Sequence, residues 1–233
     1  MNDTIQTRLN DTADPNSLST KFRKKRDEKL RKLISEIASK KSATRILDLG
    51  GSVEYWKRVG TDYLRTTGVK VTILNHIESE LKSSGEDPDI FEDVVADACD
   101  LSEFKDGEFD LVHSNSVIEH VGNWGRVEKF AAETRRVGNS YYVQTPNFWF
   151  PIDPHYYKAP LIHFMPRPIQ AKILESFSVC TAGRADSLGS ALSILDGTCL
   201  LDRRQMNLLF PEASLEREIF MGLTKSLIAI HNP

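Results

Sequence analysis

Short apolar runs set between longer amphipathic or polar stretches organise most of the chain. Residues 46–49, 69–74, 94–96, 109–113 and 140–144 are such runs, and their composition predicts five strands. Around them the apolar period lengthens and predicts helices over 55–65, 124–136, 169–176 and 202–210. Near the end, 214–220 and 223–230 read as two extended segments turned at Met221-Gly222, a hairpin. Strands separated by helices make a parallel sheet covered on both faces. Right-handed crossovers then bring the strand-to-helix loops to one edge, where ligands bind at the point of strand-order reversal. The expected fold is α/β, with a mostly parallel sheet, an antiparallel terminal hairpin and helices on both faces.

Upstream, Leu30, Leu33, Ile34 and Ile37 form one apolar stripe, predicting a helix over 19–40 with Ser19 as its N-cap. Residues 1–17 are polar, without apolar period, and read as a tail. The division that follows is a tail and basic helix over 1–42, able to act as a lid, and one α/β domain over 43–233. Within that domain, 145–168 stands apart as an insertion on the substrate side. It holds six of the ten prolines together with Phe148, Trp149, Phe150, Tyr156, Tyr157 and Phe164.

A chain of 233 residues with a formal net charge of −3 can bury a full core and has no overall attraction for nucleic acid. The exception is local. Lys21, Arg23, Lys24, Lys25, Arg26, Lys29, Arg31 and Lys32 crowd the first helix, which reads as a solvated face before it reads as a grip for RNA or an anionic membrane. No apolar run reaches membrane-spanning length, and the polar start lacks a signal-peptide core. The three cysteines, Cys99, Cys180 and Cys199, are far apart and match no zinc spacing, so a reducing cytoplasmic setting is expected.

The candidate chemistry begins at Arg45-Ile-Leu-Asp-Leu-Gly-Gly-Ser-Val-Glu-Tyr-Trp56, a strand, an acid, two glycines and a helix. A dinucleotide fingerprint needs glycine at the first, third and sixth places, but counting from Gly50 gives Gly50, Ser52 and Tyr55. A Walker loop is absent as well, since no Gly-Lys-Ser or Gly-Lys-Thr occurs. After the fourth strand the chain reads Ser114-Asn-Ser-Val-Ile-Glu-His-Val121. The order of these segments resembles class I S-adenosylmethionine-dependent methyltransferases from residue 43 to the end, of the bacterial small-molecule and glycan type with Glu-His-Val after the fourth strand.

The resemblance implies a Rossmann-like seven-stranded sheet and S-adenosyl-L-methionine as cofactor. It places Asp48, Gly50, Gly51, Ser52, Ser114 and Asn115 around that cofactor, with Ser52 and Glu54 standing where the family has glycines. Asn75 and His76 fall where the family's acid holds the ribose, and Glu78 is a substitute if the strand ends later. Asp97 and Ala98 fall at the adenine motif. An acceptor wall is expected at Asn147, Trp149, Asp153, Tyr156 and Tyr157.

Methyl transfer from a sulfonium needs an in-line acceptor and, for a hydroxyl, removal of its proton. Histidine suits that task. His155, beside Asp153, is the first candidate base and His120 the second, while His113 reads as packed. No set of carboxylates marks a metal-dependent catechol enzyme, so no metal is expected. The Asn/Asp-Pro-Pro-Tyr/Phe of base and glutamine methyltransferases is replaced by Ser114-Asn-Ser-Val117. The expected acceptor is an oxygen, less readily a nitrogen, of a small molecule, sugar or lipid-linked precursor, with homodimerisation left open. An RNA methyltransferase using the basic helix, a non-catalytic module of the same fold and a nicotinamide oxidoreductase are the competing readings.

Overall fold

The structure is a computed structural model describing residues 18–77, 87–180 and 182–233. The expected tail over 1–17 and the Glu78 alternative lie outside the described residues. The elements are α1 (Leu18–Ala38), β1 (Thr44–Leu49), α2 (Val53–Val59), α3 (Thr61–Thr66), β2 (Val69–Asn75), β3 (Phe91–Val95), β4 (Phe109–Asn115), α4 (Trp124–Val137), β5 (Gly138–Pro146), α5 (Arg167–Ser176), α6 (Leu188–Asp196), α7 (Arg203–Leu209), β6 (Ser214–Phe220) and β7 (Leu223–His231). Single 3₁₀ turns occupy Ile118–His120, Pro154–Tyr156 and Ile162–Phe164.

The seven strands form one sheet in the order β3-β2-β1-β4-β5-β7-β6. Pairing is parallel through β5, and β7 and β6 close the sheet antiparallel. This is the expected α/β sheet, mostly parallel with an antiparallel terminal hairpin. The chain winds outward from β1 to β3, then returns to β4 on the other side of β1. The loops after β1 and β4 therefore diverge and leave a crevice between them.

Alternation along β1 sorts its side chains between two cores. Leu47 and Leu49 join Val112, Tyr141 and Val143 under Val127 and Phe130 of α4 and Met206 and Leu209 of α7. Ile46 joins Val71, Ile73, Leu111 and Tyr142 under α1 and α2, where Leu30, Leu33, Ile34, Ile37 and Trp56 are buried. Helix α1 is thus part of the core. Its Arg26 reaches inward to Asn115 Oδ1 (2.8 Å) and Gln144 Oε1 (3.0 Å), and Asp27 pairs with Arg58 at 2.7 Å. Among the described basic residues of α1, Lys24, Lys25, Lys29, Arg31 and Lys32 are exposed, as a solvated face requires.

Two expectations about helices change. The stretch 55–65 is two short helices broken at Gly60, whose φ of 120° no ordinary L-residue adopts comfortably. Helix α6 has no counterpart among the predicted elements, because its glycine and two serines at 189, 190 and 193 are weak helix formers. It packs with α5 and the insertion around Tyr156, Ile162, Leu174 and Leu195, a small third core. Among the described residues, no helix is long and apolar enough to cross a membrane.

Candidate functional site

The turn after β1 is built over a buried polar cluster. Asp48 faces His113 in the β1–β4 register, so both side chains emerge from the same face of neighbouring strands. Asp48 Oδ1 lies 2.6 Å from His113 Nδ1, and Asp48 Oδ2 accepts from Trp56 Nε1 at 2.6 Å. His113 Nε2 lies 3.1 Å from the Tyr55 hydroxyl, whose own acidity burial suppresses, raising its pKa well above that of a free phenol. Asp48 and His113 are each about 1% exposed. The carboxylate folds back beneath the turn so closely that a Cβ on Gly51 would stand 1.6 Å from Asp48 Oδ2. Gly51 is required there by its neighbour.

Three residues expected at the cofactor make hydrogen bonds within the protein. Asp48 holds the turn from below, with both oxygens engaged inside the protein. Ser52 caps α2, its hydroxyl oxygen accepting from the Tyr55 N–H at 3.4 Å. Asn75 donates from Nδ2 to Gly51 O at 3.0 Å, tying the end of β2 to the same turn. His113 is buried as expected, but as a partner of Asp48 rather than as packing alone.

Above the turn lies a cleft of about 380 Å³ whose wall includes Gly50, Asn75, His76, Asp97, Ala98 and His120. Gly50 has φ 68°, and a Cβ there would press on Val117 at 2.7 Å, so glycine serves both the backbone and the free passage of the loop. At one end, Asp97 accepts from the Cys99 N–H (2.9 Å) and forms two bonds with Arg126 Nη2 (2.9 and 3.0 Å). Partial burial works to raise the Asp97 pKa, but these donors outweigh it and hold the carboxyl below its ordinary value. Arg126 escaped the sequence reading, since it lies on the exposed side of α4 with nothing in its spacing to mark it.

The other end of the cleft joins β4 to the insertion. Glu119 is wholly buried and accepts from Thr145 Oγ1 at 3.0 Å through Oε2, while Oε1 has no hydrogen-bond partner. Burial drives its pKa up to about 7 against the opposing pull of its backbone hydrogen bond, Thr145 and His155. His120 Nδ1 lies 2.8 Å from Gly197 O, and His155 Nδ1 lies 2.7 Å from Asp153 Oδ1. The two rings meet edge to face with their Nε2 atoms 3.0 Å apart. Burial lowers the pKa of His120. Burial acts the same way on His155, yet its hydrogen bond to Asp153 prevails and raises it. His120 and His155, separated by 35 positions in sequence, thus share one site.

Other expected residues sit elsewhere. Tyr156 is 4% exposed in the third core and donates its hydroxyl to Ile194 O at 3.2 Å, so it does not wall the cleft. Asn147 fastens the insertion to β7, donating from Nδ2 to Thr224 O at 2.8 Å. Asn115 engages Arg26, and Ser114 is buried in β4. Trp149 is 64% exposed and stacks on Phe164, and Tyr157 carries Lys158 over its ring. Asp153 does reach the site, through His155.

Residues 47–140 match the family model described as a methyltransferase domain. Among solved structures, the PH0226 protein from Pyrococcus horikoshii OT3 is 18% identical with a TM-score of 0.54, over 94% of this chain and 93% of that one. A SAM-dependent methyltransferase from Archaeoglobus fulgidus is 14% identical with a TM-score of 0.53, over 90% and 94%. The MccD protein is 17% identical with a TM-score of 0.47 over 74% of this chain, which spans 64% of that protein's length. No curated protein matches in sequence. At these identities the Pyrococcus and Archaeoglobus structures show the fold alone.

Proposed function

We propose that the protein transfers a methyl group from S-adenosylmethionine to an oxygen of a small-molecule or sugar-like acceptor, with nitrogen the second candidate. The observation that carries this reading is the cleft at the carboxyl edge of β1, β2 and β4, whose wall runs from Asp97 and Ala98 to His120. The donor set suits the cofactor. A glycine turn without phosphate-binding residues admits close backbone approach, Asn75 and His76 stand beside it for hydroxyl groups, and Asp97 and Ala98 offer a nucleoside end. Bound there, the cofactor supplies an electrophilic methyl on a sulfonium. The chain's own part is to hold, orient and exclude water. A cleft of about 380 Å³ favours a small acceptor. The acceptor lies toward His120 and His155, where its proton is released.

Titration calorimetry with S-adenosylmethionine tests the reading. Saturable binding is expected in the wild type and its loss in Ala98→Arg, which fills the cleft. His155→Ala is expected to keep cofactor binding while turnover falls roughly 10²- to 10⁴-fold. Labelled methyl donor incubated with cell extract and followed by mass spectrometry identifies the acceptor. Absence of binding at millimolar cofactor overturns the proposal.

A further inference from the structure

The donors at the acceptor end of the cleft pose a valence problem. Gly197 O can only accept, so the His120 Nδ1 that meets it carries the proton of the neutral ring. The Asp153 carboxylate likewise fixes the proton of His155 on Nδ1. Each neutral ring then holds a lone pair on Nε2, yet the two Nε2 atoms face each other 3.0 Å apart. Lone pairs at that distance repel unless an electron-poor occupant joins them. A shared proton satisfies two nitrogens but leaves a third donor unexplained. Glu119 is wholly buried with one oxygen unpartnered, and its carboxylate and the two imidazoles each offer a ligand atom, all within 4.8 Å of one another.

We propose that Glu119, His120 and His155 form a binding site for one divalent transition-metal ion at the acceptor end of the cleft. Two imidazole nitrogens and one carboxylate select a zinc-like ion over magnesium or calcium, which favour all-oxygen sets. Nitrogens 3.0 Å apart suit neighbouring positions on an ion bound at about 2.0–2.1 Å. The supporting layer is built as metal sites require: a backbone carbonyl orients one ring and Asp153 the other. Three protein ligands leave coordination positions open, and His120 lines the cleft.

The use of the ion rests on the methyl-transfer reading; its binding does not. An ion held by Glu119, His120 and His155 would act as a Lewis acid on an acceptor hydroxyl and ease loss of its proton, the O–H electron pair staying on oxygen and the ion's oxidation state unchanged. Under this proposal the two histidines act as ligands rather than as a free base, and the site departs from the expectation of no metal. That expectation looked for carboxylate clusters, whereas these donors are mostly nitrogen.

The test titrates chelator-treated whole chain with zinc chloride by calorimetry and with cobalt(II) by visible absorption, with magnesium chloride as the contrast. One equivalent of zinc or cobalt is expected, and far weaker magnesium binding. His120→Ala and His155→Ala are expected to lose it, and His231→Ala, at the far end of β7, to keep it. Asp153→Asn leaves all three donors in place and should weaken binding roughly 10- to 100-fold. Circular dichroism checks each variant, and Asp153→Asn carries the test if a histidine variant does not fold. No saturable zinc or cobalt binding, or one-equivalent binding that survives both histidine substitutions, overturns the proposal. Cofactor binding is measured on the same chelated protein. Cofactor without metal binding removes the metal site alone; metal without cofactor binding removes the methyl-transfer reading alone.

Discussion

At the turn after β1, the Asp48 carboxylate is buried with both oxygens engaged, one by Trp56 and one by His113. Across the cleft, the Glu119 carboxylate is as deeply buried, but one oxygen has no partner. The first arrangement is closed: every strong donor and acceptor around Asp48 points at another protein group. Such a cluster fixes the backbone of the turn. The second is open, with an orphan oxygen and two imidazole edges aimed at one point. A buried polar group left incomplete costs stability, and its persistence at a cleft marks a place where something else completes it.

Substitutions separate the two ends. Asp48→Ala strands both the His113 Nδ1–H and the Trp56 N–H in the core, and should cost roughly 3–5 kcal/mol in chemical denaturation. A loss below about 1 kcal/mol would mean that the cluster is not the closed support described. Asn75→Asp is next. It installs the acid expected of the family but removes the amide donor to Gly51 O, and should lower stability by about 1–3 kcal/mol and weaken cofactor binding. Tighter cofactor binding in that variant would show that the tie to the turn matters less than an added carboxylate on the cleft wall.

Glu119→Gln gives the sharpest contrast with Asp48. It retains an acceptor for Thr145 while removing a buried charge, so chelator-treated protein should melt no lower than wild type even though zinc affinity falls. The smallest effect belongs to Asp97. Its carboxyl titrates below the ordinary 3.8, so the stability it lends is present above that pH and fades as pH falls through the depressed folded value. Asp97→Asn should flatten that acid limb of the stability curve and leave neutral-pH melting within a few degrees.

Most of the sheet was legible because strands flanked by helices need both faces apolar, and that demand writes short Val/Ile/Leu runs into the sequence. The Met221-Gly222 turn was visible because Gly222, between two extended runs, tolerates the positive φ it adopts, while Met221 carries no such signal. The clustering of His120 and His155 was anticipated only as two separate candidates. Their meeting depends on how the insertion folds back toward the loop after β4, which no local pattern encodes. The partner of Asp48 was hidden for the same reason. His113 lies 65 residues away, and only the β1–β4 register brings them together. Ser52 looked like a defective glycine position because a cap and a ligand contact use the same kind of residue.

Helix α1 carries a practical consequence for anyone trimming this protein. The family match begins at residue 47, yet Leu30, Leu33, Ile34 and Ile37 lie beneath Ile46, Trp56 and Tyr142. Cutting at the start of the match would bare that apolar patch to water. Fully burying one such side chain is worth about 1.5–3 kcal/mol, and whole domains retain only about 5–15 kcal/mol. Four lost together are enough to unfold the remainder, so the smallest autonomous piece of this chain begins well ahead of its most recognisable segment.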